Sequence, residues 1–195
     1  MTESERKQII ALIQREVIPA IGCTEPIAVA LCVAKATETL GAKPEKIKVL
    51  LSANILKNAM GVGIPGTGMI GLPIAVALGA LIGKSDYQLE VLKDSTPEAV
   101  EEGKKLIDEK RICISLKEDI TEKLYIEVTC EAGGEQATAI ISGGHTTFVY
   151  VAKGDEVLLN KQQTSGEEEE EETLELTLRK VYDFALTAPL DEIRF

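Results

Sequence analysis

The stretch that decides the fold is TEPIAVALCVAKATETLG, which occupies residues 24–41. A proline is well accepted in a helix only in its first turn, so Pro26 predicts that a helix begins close to Thr24, a residue type that commonly caps this end. Gly41 is a typical C-terminal stop. Residues 27–34 are apolar on every face, and a helix of that kind is usually buried. The sequence therefore predicts a central, buried helix.

The pattern on either side of this helix predicts five further segments in the first half of the chain. They are a helix at residues 4–18 closed by Pro19, a strand at Ile47–Leu51, a short helix at Asn54–Met60, a glycine-rich segment at Gly61–Gly68 and a helix at Leu72–Ile82. The last of these helices is rich in Gly and Ala. Small side chains let two backbones approach closely, so we expect it to pack tightly against a neighbour.

The second half of the chain changes to mainly strand-like patterns. The predicted elements are a strand at Gln88–Leu92, a helix at Pro97–Glu109 and strands at Arg111–Leu116, Leu124–Cys130, Ala137–Ser142 and Thr147–Val151. The fold class predicted is α+β, with central buried helices and a mainly antiparallel sheet under helix cover.

Three regions are expected along the chain. Residues 1–160 form an N-terminal α+β domain, and residues 161–172 form an acidic linker or loop that contains six consecutive glutamates. Residues 173–195 are predicted to be helical and to lead toward a missing C-terminal half, because the chain stops one turn into a new helix.

Composition and charge exclude several classes of function. The chain has 195 residues, 45% of them hydrophobic, no Trp and a net charge of −11. That sign disfavours nucleic acids and anionic membranes as partners. The four cysteines have neither disulfide-scaffold nor zinc spacing, and the polar N-terminus is not a signal peptide, so a cytoplasmic location is expected.

Cys23 is the first candidate for chemistry. It stands immediately before the helix N-terminus, where unpaired backbone amides and the helix dipole favour a thiolate. Gly22 permits a tight turn and the close approach of a ligand. Glu25 opposes the thiolate unless its carboxylate points away. The alternative is that Cys23 is a small buried residue in a tight turn.

The glycine segment is the second candidate. Gly61, Gly63 and Gly66 match G-x-G-x-x-G, but no strand runs directly into the loop and Pro65 removes an amide donor, so a dinucleotide site is rejected. Consecutive amides in such a loop can hold a carboxylate, which suits a small amino acid. A helix–helix turn that needs glycine for backbone reasons is an equal alternative.

The remaining candidates carry weaker signals. His145 is the one histidine of the chain and lies beside two glycines, where a ligand could come close, although a structural or merely exposed histidine is the commoner case. Cys32 and Cys113 are expected to be small core residues. Cys130 ends a strand in surroundings that give no reason for reactivity.

Two motifs together resemble the L-cysteine desulfidase family, which is related to the iron–sulfur L-serine dehydratases. They are IGCTEPIA at residues 21–28 and KNAMGVGIPGT at residues 57–67. The segments GGHT at residues 143–146 and APL at residues 188–190 also look like that family. The similarity covers essentially the whole chain.

The resemblance implies an enzyme that converts L-cysteine to sulfide, pyruvate and ammonia. In the family a [4Fe-4S] cluster with one open iron acts on the substrate sulfur, and a cysteine in the position of Cys23 is the base for the Cα proton. The residues then expected to bind substrate are Thr24, Glu25, Asn58, Gly61, Gly63, Gly66, Thr67 and His145. The glycine loop would hold the substrate carboxylate with help from Asn58 or Thr67.

Residues 1–195 depart from the family in one respect. Family members are about twice as long and carry their cluster ligands in the second half, so no metal ligand, no cluster and no activity are expected of this chain alone. The partners expected are a small amino-acid substrate and the missing C-terminal domain, with a homo-oligomer also open. Two other functions stay open: elimination of water from L-serine or of another β-substituent, and a non-catalytic amino-acid-binding domain.

Overall fold

A computed structural model of the chain describes residues 1–161 and 175–194. The chain divides into two compact units. One combines Met1–Pro19 with Ser165–Phe195, and the other is Ala20–Thr164. The division at Pro19 differs from the first domain expected at residues 1–160. The predicted acidic linker lies outside the described residues from residue 162 onward.

The helices and strands of the described residues have the following bounds. The helices are α1 Glu3–Glu16, α2 Thr24–Leu40, α3 Ala53–Ala59, α4 Leu72–Ile82, α5 Pro97–Asp108 and α6 Leu178–Thr187, with short 3-10 helices at Ser85–Glu90 and Leu190–Glu192. The strands are β1 Lys46–Leu51, β2 Gly63–Ile64, β3 Met69–Ile70, β4 Ile112–Leu116, β5 Tyr125–Ala132, β6 Glu135–Ser142, β7 Phe148–Lys153 and β8 Glu156–Asn160.

Helix α2 is the centre of the larger unit, as the sequence predicts. Its residues Ile27–Ala34 have no solvent-exposed surface. Gly41 ends the helix in the left-handed conformation, with φ 76°. The N-cap is Cys23, not Thr24, because the thiol-bearing residue keeps extended backbone angles while Thr24 is already helical.

Helix α4 crosses α2 at close range. A Cβ placed on Gly79 would lie 2.6 Å from the carbonyl oxygen of Ala30, far inside van der Waals contact. The expectation that the small residues of α4 serve close packing is therefore confirmed. Helix α5 packs on the other side of α4.

The main sheet has the strand order β4-β1-β5-β6-β7-β8. Strand β4 is parallel to β1 and every other neighbouring pair is antiparallel. The class α+β is confirmed, and the sheet is mixed, with a single parallel pair among its described strands. Helix α2 packs on β5 and β6.

Two contacts fix the direction of α2 over the sheet. The Cys32 thiol donates to the Ala139 carbonyl oxygen at 3.3 Å, and the hydroxyl of Thr37 lies 3.6 Å from the sulfur of Cys130. Because β5 starts at Tyr125 and runs toward Cys130, the helix runs along it in the same direction. The N-terminus of α2 therefore points to the end of the sheet where β1 ends and β5 begins.

Three sequence predictions in the second half need correction. Gln88–Leu92 is not a strand: Ser85–Glu90 forms a 3-10 helix that Gln88 interrupts with φ 51° and ψ −127°. Its first residue is held by Glu38, whose carboxylate accepts from the backbone amide and hydroxyl of Ser85. Leu89 and the consecutive residues Val91 and Leu92 are all buried, so the strict alternation of a half-buried strand is not kept to the end of the segment.

Cys113 is exposed, contrary to the expectation of a core position. It lies in β4, which is an edge strand of the sheet, on the side opposite to the helix-facing Ile112 and Ile114. Strand β8 at Glu156–Asn160 was not predicted. It pairs with β7 across a register shift between Val151 and Ala152, which breaks the simple alternation of a strand.

The smaller unit contains α1 and α6. The guanidinium of Arg6 donates to the Thr187 carbonyl oxygen at 2.5 Å, and Lys180 forms an ion pair with Glu5 at 2.9 Å. Helix α6 begins at Leu178 behind the N-cap Thr177, later than the expected start at residue 173. In the described part of the chain, no helix combines the length and apolarity needed to cross a membrane.

Candidate functional site

Cys23 lies at the start of α2 with its side chain exposed to solvent. Its thiol makes no hydrogen bond that caps the helix. It donates instead to Oε2 of Glu25, with 3.2 Å between sulfur and oxygen. The Glu25 carboxylate, which the sequence analysis identified as the group that opposes a Cys23 thiolate, is therefore in direct contact with the thiol.

The carboxylate of Glu25 accepts hydrogen bonds from side chains on two helices. Besides the Cys23 thiol, the hydroxyl of Thr24 donates to Oε2 at 3.3 Å. The side-chain amide of Asn58, near the end of α3, donates to Oε1 at 3.3 Å. Helix α3 follows directly on β1, so both helices bring their polar groups to the same end of the sheet. The structure thus assembles four of the sequence-predicted site residues.

The electrostatics of Cys23 differ from the expectation. Partial burial, together with the hydrogen bond to Glu25 and the charge of its carboxylate, raises the pKa of the Cys23 thiol above its ordinary value. Backbone groups of Glu25 and Thr24 act in the opposite direction but do not prevail. The backbone at the helix N-terminus thus acts toward the thiolate as predicted, but burial and the opposing effect of Glu25 outweigh it, because the Glu25 carboxylate points at the sulfur.

The pKa of Glu25 moves the other way. Partial burial raises it, but the hydrogen bonds from Cys23, from its own backbone amide, from Asn58 and from Thr24 outweigh that effect and hold it below the ordinary value. The pair therefore consists of an ionised carboxylate and a neutral thiol near neutral pH.

The glycine segment folds into a small hairpin of strands β2 and β3. Gly66 and Gly68 have φ values of 76° and 65°, a backbone conformation that favours glycine. The Thr67 hydroxyl is used inside the hairpin: it donates to the Ile64 carbonyl oxygen at 2.7 Å and accepts from the Met69 amide at 2.9 Å. The Thr67 side chain therefore stabilises the turn of the hairpin.

Two other glycines of the segment face open space. A Cβ added to Gly61 or to Gly63 would meet no atom within 4 Å. Neither residue has a positive φ, so steric conflict does not explain why glycine stands at these positions. Room beside the backbone is a feature expected where a ligand approaches the main chain.

The hairpin touches the turn that carries Cys23. A Cβ placed on Gly22 would lie 2.8 Å from Cγ of Pro65. On the other side, the amide of Ile21 donates to the Leu89 carbonyl oxygen at 3.3 Å. The backbone at Ile21 and Gly22, directly before Cys23, is thus held between the glycine hairpin and the 3-10 segment.

His145 lies in the loop between β6 and β7 and is half-buried. Ser142 pairs with Tyr125, so this loop is at the same end of the sheet as the N-terminus of α2. Within residues 1–161, however, no hydrogen bond or ion pair joins His145 to the other predicted site residues. The structure thus places the His145 loop at the same end of the sheet as the cluster, without a hydrogen bond or ion pair between them in the described residues.

Sequence reasoning missed two neighbours of the site. Pro65 was considered only as a residue without an amide donor, although it forms the wall against Gly22. Leu89 was assigned to a strand, although its carbonyl oxygen holds Ile21. The glycine directly before Cys23 indicates close packing at position 22, but a single sequence does not show that Pro65 is the residue it packs against.

The cysteines do not fit an iron–sulfur cluster within this chain. Cys32 and Cys130 are fully buried between α2 and the sheet, and Cys113 lies on an edge strand. Among residues 1–161 and 175–194, no group of three or more His, Cys, Asp or Glu side chains is placed to hold a metal ion. The described residues therefore offer no ligand set for such a cluster.

The chain is similar over its full length to proteins named UPF0597. It is 81% identical to one from Bacteroides thetaiotaomicron, 76% to one from Phocaeicola vulgatus and 47% to one from Porphyromonas gingivalis. Each match covers all of this chain but only 46%, 45% and 46% of the respective relative. The chain is thus related to the UPF0597 proteins and spans about half their length. No family model and no solved structure matches it.

Proposed function

We propose that this chain is part of a cytoplasmic carbon–sulfur lyase that converts L-cysteine and water to sulfide, pyruvate and ammonia. The observation that carries the proposal is the cluster of Cys23, Glu25 and Asn58 at the N-terminus of a buried helix, next to the glycine hairpin. The two motifs that resemble the L-cysteine desulfidases supply these residues. The fold therefore groups the residues that the resemblance singles out.

Cys23 is the proton acceptor in this proposal. An elimination needs a base that removes the Cα proton, and a cysteine does so only as a thiolate. Its exposed sulfur is open to a small ligand, and the buried helix behind it fixes its position. The open backbone at Gly61 and Gly63 offers room for the substrate carboxylate.

The iron–sulfur cluster of the proposed enzyme would be held outside this chain. When bound, such a cluster supplies a Lewis acid that makes the substrate sulfur a better leaving group. The relatives are about twice as long as this chain, which leaves room for the ligands elsewhere in the whole protein.

A chimera tests the proposal. The 195 residues of this chain replace the matched part of the Bacteroides thetaiotaomicron relative, and sulfide release from L-cysteine is measured without oxygen after reconstitution with iron and sulfide. We expect Cys23→Ala to lower turnover by roughly a hundredfold or more, the usual contribution of a general base. Cys113→Ala, a second exposed thiol on an edge strand, is the matched control and retains full turnover.

Absence of lyase activity in the chimera contradicts the proposal, and so does full activity of Cys23→Ala. Faster turnover of L-serine than of L-cysteine assigns the scaffold to water elimination.

A second candidate is a non-catalytic domain that binds an amino acid. The observation that favours it is the hydrogen bond from the Cys23 thiol to Glu25, since a neutral cysteine can serve there as a simple donor. In that case Cys23→Ala alters ligand binding and the chimera has no turnover to lose.

A further inference from the structure

The direct contact between the Cys23 thiol and the Glu25 carboxylate conflicts with the role of a base that the proposed function, on which this inference rests, gives to Cys23. A sulfur that donates its proton to a carboxylate cannot at the same time accept one from a substrate. Something in the substrate complex has to weaken this contact before Cys23 can act as a base.

The carboxylate of Glu25 is held by neutral donors. An ionised carboxylate offers about four acceptor sites, and besides the backbone amide of Glu25 itself, three side-chain donors occupy them: the thiol of Cys23, the hydroxyl of Thr24 and the amide of Asn58. All three donors are neutral. A charged ammonium group forms a stronger hydrogen bond to a carboxylate than a thiol does, so it can displace the weakest of them.

The charges around the sulfur make Glu25 the controlling group. Its carboxylate acts on Cys23 both through a hydrogen bond and through its charge. The hairpin segment at residues 61–68 contains no ionisable side chain, and the 3-10 segment meets the turn through the uncharged Leu89 carbonyl. Neutralising Glu25 therefore removes the anionic neighbour of the thiol.

We propose that Glu25 binds the α-ammonium group of the amino-acid substrate and that this binding releases Cys23 as a thiolate. The ammonium pairs with the carboxylate and takes the place of the thiol, and the thiol proton leaves to solvent. The thiolate then accepts the Cα proton, which restores the neutral thiol. Substrate binding thus generates the base, and in the empty site the sulfur stays protonated.

Glu25→Gln tests the part that Glu25 plays. The thiolate fraction of Cys23 is followed by ultraviolet absorbance against pH in the complete chain, with Cys23→Ser as the blank. We expect Glu25→Gln to increase the thiolate fraction at slightly alkaline pH by roughly threefold to tenfold, since a unit charge next to the sulfur is removed. Glu38→Gln changes a carboxylate farther along the same helix, which is bonded to Ser85, and is the matched control without effect.

L-alanine tests the ammonium, because it carries the amino-acid groups but no leaving group. In the unaltered chain it raises the thiolate fraction of Cys23, whereas propionate, which lacks the ammonium, does not. In Glu25→Gln, L-alanine adds nothing. An equal response to L-alanine in both forms, or no response in the unaltered chain, overturns the proposal.

These outcomes are separate from those of the lyase assay. A chimera with Cys23-dependent turnover but no response to L-alanine at Glu25 keeps the proposed function and removes this inference. A clear Glu25-dependent response in a chimera without turnover leaves an ammonium site and removes the lyase.

Discussion

Gly79 of α4 and Ala30 of α2 meet backbone to backbone: a Cβ on Gly79 would lie 2.6 Å from the Ala30 carbonyl oxygen and 3.1 Å from its Cα. No flexible side chain can move aside there, because the atoms in the way belong to the main chain. The two central helices are therefore locked together at a point where any other residue type would push them apart.

Gly79→Ala is expected to destabilise the chain by about 1–3 kcal/mol, as overpacking of a core does. Helix propensity alone would favour alanine by about 1 kcal/mol, so a loss of stability identifies the clash. Urea unfolding measures it. Gly61→Ala is the matched control, since nothing lies within 4 Å of its Cβ position, and a change within about 0.5 kcal/mol is expected. Equal effects of the two substitutions contradict the close crossing.

Gln88→Gly is expected to stabilise the chain. Gln88 has φ 51° and ψ −127°, a conformation that costs a residue with a Cβ about 1–3 kcal/mol. Glycine relieves that strain but adds about 0.5–1 kcal/mol of unfolded-state entropy, which leaves a net gain of about 1 kcal/mol. Gln88→Ala keeps the Cβ and gains nothing. Thermal unfolding of the three forms decides, and a destabilised Gln88→Gly shows that the backbone at this position is not strained.

Ser52→Ala is expected to cost about 1–3 kcal/mol, because one buried and one partly buried backbone group lose their hydrogen bonds to the Ser52 hydroxyl. Ser52 is only 2% exposed. Its hydroxyl donates to the Lys123 carbonyl oxygen at 2.8 Å and accepts from the Tyr125 amide at 3.3 Å, which ties the end of β1 to the start of β5. Ser115→Ala, on the exposed side of β4, serves as the control and should change the unfolding free energy by less than about 0.5 kcal/mol.

The chain is expected to lose stability in alkaline solution. Burial raises the pKa of Cys130 from 9.0 to about 11, and burial also raises that of Cys32. Above pH 9 the unfolded chain releases these protons while the folded chain keeps them, so the unfolding free energy falls as pH rises. For Cys130 the loss between pH 9 and pH 11 is about 2 kcal/mol.

Cys130→Ala checks this assignment. The variant starts with lower stability at pH 7 because a cavity is created, but its unfolding free energy should fall less steeply between pH 9 and pH 11. Urea unfolding with a reductant present measures both slopes. Parallel slopes in the two proteins rule out Cys130 as a source of the alkaline loss.

The helical core could be predicted from sequence because its signals are local. Pro26, the apolar run that follows it and Gly41 mark both ends and the burial of α2 within one short stretch. The small residues of α4 likewise predict close packing against a neighbouring element. These features depend on the physics of a single helix and need no knowledge of the rest of the chain.

What depends on distant residues could not be predicted. The state of Cys23 is decided by where Glu25 points, and that is fixed partly by Asn58, which stands on another helix. The exposure of Cys113 follows from the strand order, which places β4 at an edge. The 3-10 segment that contains Gln88 is shaped by the bond between Glu38 and Ser85 and by burial of Leu89, which override the local strand pattern.

The contact of Gly22 with Pro65 has a consequence for motion. Proline is a rigid ring, and glycine leaves no side chain that could yield in its place. A ligand that shifts the hairpin must therefore either carry the sulfur along with it or open a gap at this contact. The hairpin and the cysteine turn are in direct contact with no flexible side chain between them, and a bulkier residue at position 22 would force them apart.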